Sequence, residues 1–338
     1  MNLDTTLRRG NTDKPALVFI HGLGMDKNIW VNPSKSRVLG GKIPLKIILS
    51  KNPPVKDFGL RKKAPRKAFS EFSLGEQPAM IYTLLNDLSQ KDFPVITWSQ
   101  ERPSGPIDVA VSELEKIIKT AHTLTKAGII LIGHSRGGLI ARKYLTKQDR
   151  SIRGLVTFSS PHKGSSIARL ASYLKPIASI MRPLLPGHTK STLSSTIKHI
   201  LDFFKSKALQ ELLPGSSFFQ SLKDEPLDWI YYVSAGGTDP GLLSFYKWSW
   251  DPVRENKYNR WFLKPEKFFT IPDIFEKVIP DKFYPEEIKK GKGDGLVSEA
   301  SSKIPWCNEH YSFNLNHAQI LFDEKVRFLL AKAIERMS

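Results

Sequence analysis

Ile129-Ile130-Leu131-Ile132-Gly133-His134-Ser135-Arg136-Gly137-Gly138-Leu139-Ile140-Ala141-Arg142 joins four aliphatic residues, a Gly-x-Ser-x-Gly pentapeptide and the start of an amphipathic segment. The aliphatic run predicts a buried strand, and the spacing from Leu139 to Thr146 predicts a helix. A chain that turns from strand to helix in so few residues holds its middle residue in a strained conformation. Flanking glycines remove the side chains that would clash there. The hydroxyl of such a residue projects above the sheet edge, beside the unpaired N–H groups and positive dipole end of the new helix. Ser135 is therefore a candidate nucleophile. An ordinary glycine turn between strand and helix carries the same pentapeptide, so the flanking elements bear the weight of the reading.

On either side of this stretch, short apolar runs alternate with amphipathic segments, the pattern of a mostly parallel sheet covered by helices and hence of an α/β fold. The expected strands are Ala16 to Ile20, Leu45 to Leu49, Val95 to Trp98, Ile129 to Ile132, Leu155 to Phe158, Trp229 to Val233 and Tyr311 to Leu315. The expected helices include Pro78 to Ser89, Val109 to Leu124 and an apolar C-terminal one, Ile320 to Met337. Two stretches break the alternation. Residues 165–225 place Leu170, Tyr173, Leu174, Ile177, Ile180, Met181, Leu184 and Leu185 on one side of a helix that Pro176 must kink, as a helical cap would. Residues 241–292 gather Trp248, Trp250 and Trp261 among prolines and charges and read as a second, aromatic-rich insertion over the sheet edge. Both read equally well as extra core or as lids that expose apolar surface to a lipid substrate.

The chain has 338 residues, 40% of them hydrophobic, with seven Trp and 19 Phe, enough for one elaborated domain spanning 1–338. Lys175, Pro176, Arg182 and Pro183 interrupt the best candidate for a membrane span, and no secretory-type apolar core follows the charged N-terminus. With a single cysteine, Cys307, the composition fits a reducing compartment, and the expectation is a cytoplasmic protein. The net charge is +18, and its densest cluster is Arg61-Lys62-Lys63-Ala64-Pro65-Arg66-Lys67. Such a field attracts anions. No zinc-ligand spacing, recognition-helix pattern or glycine-aromatic RNA signature accompanies it, so nucleic acid is set aside in favour of peripheral contact with an anionic membrane, or of a solvated loop.

Activating a serine requires a base in hydrogen-bond reach and a carboxylate to orient that base. In a parallel sheet these groups should follow strands, as Ser135 does. His317 follows the Tyr311 to Leu315 run and is the expected base. His310 precedes that run and lands at the wrong edge, His122 sits inside an amphipathic helix, and His188 and His199 fall in the cap. Two acids compete. Asp294 lies on the glycine-flanked loop Gly293-Asp294-Gly295-Leu296-Val297-Ser298, and Asp239 lies in Gly236-Gly237-Thr238-Asp239-Pro240 after the Trp229 to Val233 strand. For the oxyanion, Arg136 after the nucleophile supplies one backbone N–H. The loop Leu17-Val18-Phe19-Ile20-His21-Gly22-Leu23-Gly24 offers Leu23 as the other.

With these residues in place the chain resembles the α/β-hydrolases, and among them the bacterial triacylglycerol lipases and related esterases. The resemblance rests on Phe19-Ile20-His21-Gly22-Leu23-Gly24, Ile132-Gly133-His134-Ser135-Arg136-Gly137-Gly138, Ser159-Ser160-Pro161-His162-Lys163-Gly164-Ser165, and Asp294-Gly295-Leu296-Val297-Ser298 with Asn316-His317 behind it. It implies a serine carboxylic-ester hydrolase acting on lipid-like or other apolar esters, with Ser135 as nucleophile, Asp294 rather than Asp239 as acid, His317 as base, Leu23 and Arg136 as oxyanion donors, and no cofactor. The segment at Pro161 leads into a lid in that family. Departures are the missing export signal and cysteine pair, and an altered calcium pattern in which only Gln319 and Asp323 supply side-chain oxygens near His317. The same triad would serve an acyltransferase, and the fold without its reaction would suit a protein that binds anionic membranes.

Overall fold

The computed structural model describes residues 3–38, 43–65, 72–167, 169, 206–242, 244–255, 257–270, 273, 276 and 279–338. Its strands are β1 (Thr5–Arg8), β2 (Ala16–Ile20), β3 (Lys56–Arg61), β4 (Phe72–Leu74), β5 (Val95–Trp98), β6 (Ile129–His134), β7 (Ile152–Phe158), β8 (Tyr231–Gly237), β9 (Ser244–Glu255), β10 (Tyr258–Thr270) and β11 (Glu309–Phe313). The longer helices are α1 (Leu84–Gln90), α2 (Ile107–Ala121), α3 (Arg136–Leu145) and α4 (Glu324–Arg336).

Seven strands form one sheet in the order β1-β5-β2-β6-β7-β8-β11. Only β1 runs antiparallel, against β5; the other pairs are parallel. All six residues of β6 are buried, because a central parallel strand is covered on both faces. Alternate side chains accordingly feed two apolar layers. Val18, Ile20 and Leu131 pack with Leu114, Ile118 and Leu139 of α2 and α3. Leu17, Phe19, Ile130 and Ile132 pack with Leu84 and Leu88 of α1 and with Leu330 and Ile334 of α4. No helix among the described residues is long and apolar enough to cross a membrane.

Most expected strands are present, shifted by a few residues at their ends. Leu45 to Leu49 is the exception, forming the helical turn Leu45–Ile48, with Leu45 and Ile48 buried. Three residues apart, those two share one face of a helix, whereas a strand would have sent them to opposite faces. Much of the aromatic-rich stretch 241–292 is β-structure. Strands β9 and β10 form a long hairpin, flanked by β3 and β4 in a separate antiparallel sheet ordered β3-β10-β9-β4. Trp248, Trp250 and Trp261 point to one side of it. The helix expected from Leu170 to Leu185, with His188 and His199 beyond it, lies outside the described residues. The described part of that insertion includes two short helices, Lys207–Glu211 and Ser217–Ser221.

Candidate active site

At the C-terminal rim of the main sheet, β6 ends at His134 and α3 begins at Arg136, leaving Ser135 between them at φ 53°, ψ −126°. A left-handed φ is costly for any residue with a Cβ and persists only where the surroundings impose it. Here the Ser135 N–H donates to the Phe158 carbonyl of β7 at 2.9 Å, and the neighbouring strand and helix leave no slack. A Cβ at Gly133 would lie 2.5 Å from the Gly138 nitrogen, and one at Gly137 would lie 2.4 Å from the Ile20 oxygen. Both motif glycines are thus required by close backbone approach.

Asp294 and His317 meet directly. The His317 Nδ1–H donates to Asp294 Oδ2 at 2.9 Å, with both side chains almost wholly buried. Because a carboxylate only accepts, the proton of this bond sits on Nδ1, the tautomer whose Nε2 carries the lone pair. The other carboxylate oxygen accepts the Leu296 and Val297 N–H groups at 3.0 and 2.8 Å, and the His317 N–H donates to the Asp294 carbonyl at 2.9 Å. Asp239 instead accepts the Gly241 N–H at 3.0 Å, closing its own turn. Ser135 and His317 line one cavity of about 60 Å³, whose remaining wall is largely aliphatic: Leu23, Met25, Ile48, Leu209, Leu242 and Leu296 contribute to it. Among the described residues, neither the Ser135 hydroxyl nor His317 Nε2 has a hydrogen-bond partner.

Leu23 lies in the turn after β2, and Arg136 opens the first turn of α3, where the N–H groups have no carbonyl four residues back. The Leu23 loop is fixed by His21 and Gln100. His21 Nε2 accepts the Gln100 N–H at 3.0 Å, its Nδ1–H donates to the Gly22 carbonyl at 3.0 Å, and the Gln100 amide donates to the His21 carbonyl at 3.1 Å. Burial pulls His21 down to about 4, so the ring is neutral. The Arg136 guanidinium reaches away from the cavity to Gln100 Oε1 and the Pro103 carbonyl, both at 3.3 Å, and to the Gly105 carbonyl; burial pulls it down to about 10. Arg136 therefore presents only its backbone to the rim.

His134, Asn316 and Gln100 support this arrangement in ways the linear sequence hides. The His134 Nε2–H donates to the His317 carbonyl at 3.1 Å, and the two rings lie 4.8 Å apart. Burial and the neighbouring His317 hold His134 well below the usual histidine range. Its buried Nδ1 has no partner among the described residues. Asn316 Oδ1 accepts the Ala318 and Gln319 N–H groups at 3.1 and 2.9 Å while its amide donates to the Gly241 carbonyl at 2.9 Å. Its place before His317 was the only sequence signal for it. Gln319 Oε1 accepts the Asn316 N–H and Asp323 caps α4, so both oxygens near His317 have intramolecular work. His310 lies inside β11 rather than before it, bonded to the Ser234 hydroxyl and Glu299, both at 2.8 Å. That strand starts two residues earlier than its apolar run because Glu309 and His310 are satisfied laterally.

The fold is that of the α/β-hydrolases. A palmitoyl protein thioesterase family model matches residues 86–227, a span that includes the Ser135 turn and stops short of Asp294 and His317. Among solved structures, the mature form of the Bacillus licheniformis lipase BlEst2 is similar at 14% identity and a TM-score of 0.51, covering 97% of this chain and 95% of that one. Its propeptide form gives 13% and 0.52, covering 97% of this chain and 53% of that one. No curated protein matches the sequence.

Proposed function

We propose that the protein is a serine hydrolase that cleaves apolar acyl esters through an acyl-enzyme. The observation that carries this is the buried His317–Asp294 hydrogen bond in the wall of the cavity that Ser135 also lines. In this reading Ser135 Oγ attacks the acyl carbonyl while His317 Nε2 takes its proton. Asp294 holds the ring in the Nδ1–H tautomer and stabilises the imidazolium, and the Leu23 and Arg136 N–H groups receive the oxyanion. The proton then passes from His317 to the leaving oxygen. Water, deprotonated by the same nitrogen, releases the acid and restores Ser135. None of these steps calls for a cofactor. The aliphatic wall would take the acyl chain, with residues 165–225 as its cap.

The thioesterase match favours a second reading of the same site, in which the leaving atom is a thiolate sulfur. Both readings need Ser135, so a fluorophosphonate should label the native chain and fail to label Ser135→Ala. Labelling that survives the substitution rejects the nucleophile. Comparing kcat/KM for p-nitrophenyl esters and for coenzyme A thioesters over a series of acyl lengths then separates the two. A chain that turns over neither class would leave the fold as a binding scaffold.

A further inference from the structure

Strand β9 leaves the active-site rim just after Leu242, a residue of the cavity wall, and runs outward for 12 residues, roughly 35–40 Å of extended chain. At its far end the hairpin and β3 form a tip. Val253 is paired with Arg260, and Arg260 with Leu60, in one cross-strand row, so all three side chains share a face; Tyr258 lies two residues along on that side. Leu60 is 55% exposed, and Val253 and Tyr258 are each 45% exposed. Beside them at the end of the tip lie Lys62 and Lys63, just past β3, and Lys257 in the hairpin turn, all exposed, with the Lys62 ammonium 6.0 Å above the Tyr258 ring; Arg61 and Arg254 are exposed on the opposite face of the same tip. The nearby carboxylates, Asp57 and Glu255, both face Arg260, at 2.6 and 4.0 Å. Among the described residues the other five cations have no carboxylate partner.

We propose that this tip is a docking surface for an anionic lipid bilayer, a site distinct from the hydrolytic one. Aliphatic and phenolic groups enter the boundary between headgroups and acyl chains, and surrounding Lys and Arg pair with lipid phosphates. That combination fits a bilayer better than a nucleic acid, whose phosphate backbone offers nothing to Leu60 or Val253.

Cosedimentation of the full chain with vesicles tests this without any turnover, so its outcome is independent of the hydrolase reading. Vesicles of phosphatidylcholine with one third phosphatidylglycerol should retain the protein, whereas phosphatidylcholine alone should not. Each neutralised cation should weaken binding about fivefold, so the triple variant Lys62→Gln, Lys63→Gln, Lys257→Gln should lose roughly a hundredfold. Leu60→Ser with Val253→Ser should lose binding that high salt does not already remove. Unchanged thermal unfolding of both variants would show that neither loss comes from misfolding. Equal retention on both vesicle types, full binding by the triple variant, or capture of a single-stranded oligonucleotide in place of vesicles would each overturn the proposal.

Discussion

At the scale of single residues, the choice between two aspartates rests on what each carboxylate touches. Asp294 accepts the His317 Nδ1–H and two backbone N–H groups, whereas Asp239 is occupied by its own turn. Asp294→Asn should therefore lower kcat by about four orders of magnitude, because an amide can hold the imidazole in the wrong tautomer, while Asp239→Asn should stay within a few-fold. Steady-state kinetics on one ester settle the pair, and the reverse ranking would return Asp239 to the site. His134 is a subtler case. It touches the proposed base through a ring face and a carbonyl, not through the reacting nitrogen. His134→Leu removes that support from the loop carrying His317, and a misplacement of about 1 Å can cost a hundredfold in rate. The expected signature is a ten- to hundredfold fall in kcat with KM nearly unchanged. A change confined to KM would assign His134 to substrate binding instead.

Secondary-structure elements meet at a second buried polar cluster, centred on Arg142 of α3 and away from the end of that helix that carries Ser135. Arg142 pairs with Asp224 at 2.7 Å, with both side chains under 10% exposed, and donates to the His162 carbonyl at 2.9 Å. It thereby joins α3 to the loop after β7 and to the segment that enters β8. Asp224→Asn leaves the guanidinium buried without its counter-charge, so stability should fall by about 3–5 kcal/mol, measured as a shift in the urea midpoint at constant slope. Turnover of the folded fraction should be unaffected. At this scale the sequence was legible where burial alone sets the pattern. Strand β2 and the Ile129–Ile132 part of β6 are wholly buried and read as unbroken apolar runs, and β5 and the Leu155–Phe158 part of β7 as runs broken only by a buried threonine. Ser135 stood out by following such a run, His317 by following the Tyr311 to Leu315 run, and Asp294 by its glycine-flanked loop. The β9–β10 hairpin was not legible, since Pro252 and Pro265 argue against strands. The structure tolerates both because each sits where its strand is paired on one side only, opposite Trp261 and Trp248. Gln100 and Asn316 escaped as supports for a related reason: the bonds of Gln100 to His21 and of the Asn316 amide to Gly241 join residues far apart in sequence and are set by the tertiary fold.

Across the whole molecule, the buried histidines couple folding to acidity. Burial pulls His21 down to about 4, and it holds His134 and His162 well below their ordinary value, with His317 and Arg142 respectively adding like-charge repulsion. In the unfolded chain the same groups titrate near pH 6.5. Between that value and the depressed one, the unfolded state binds protons that the folded state refuses. Stability is therefore fully present above about pH 6.5 and drains away as the pH falls toward 4, at up to about 1.4 kcal/mol per pH unit for each histidine. The urea midpoint should be level from neutral to mildly alkaline pH and then drop steeply through the acid range, with a slope approaching three protons. His162→Gln provides the internal control, since its ring spans the Arg142 guanidinium and the Thr157 hydroxyl. That substitution lowers stability at neutral pH and also removes one proton from the acid slope. A midpoint that stays flat through the acid range would mean these rings reach solvent in the folded state, and the neutral His134 packed beside the proposed base would lose its physical basis.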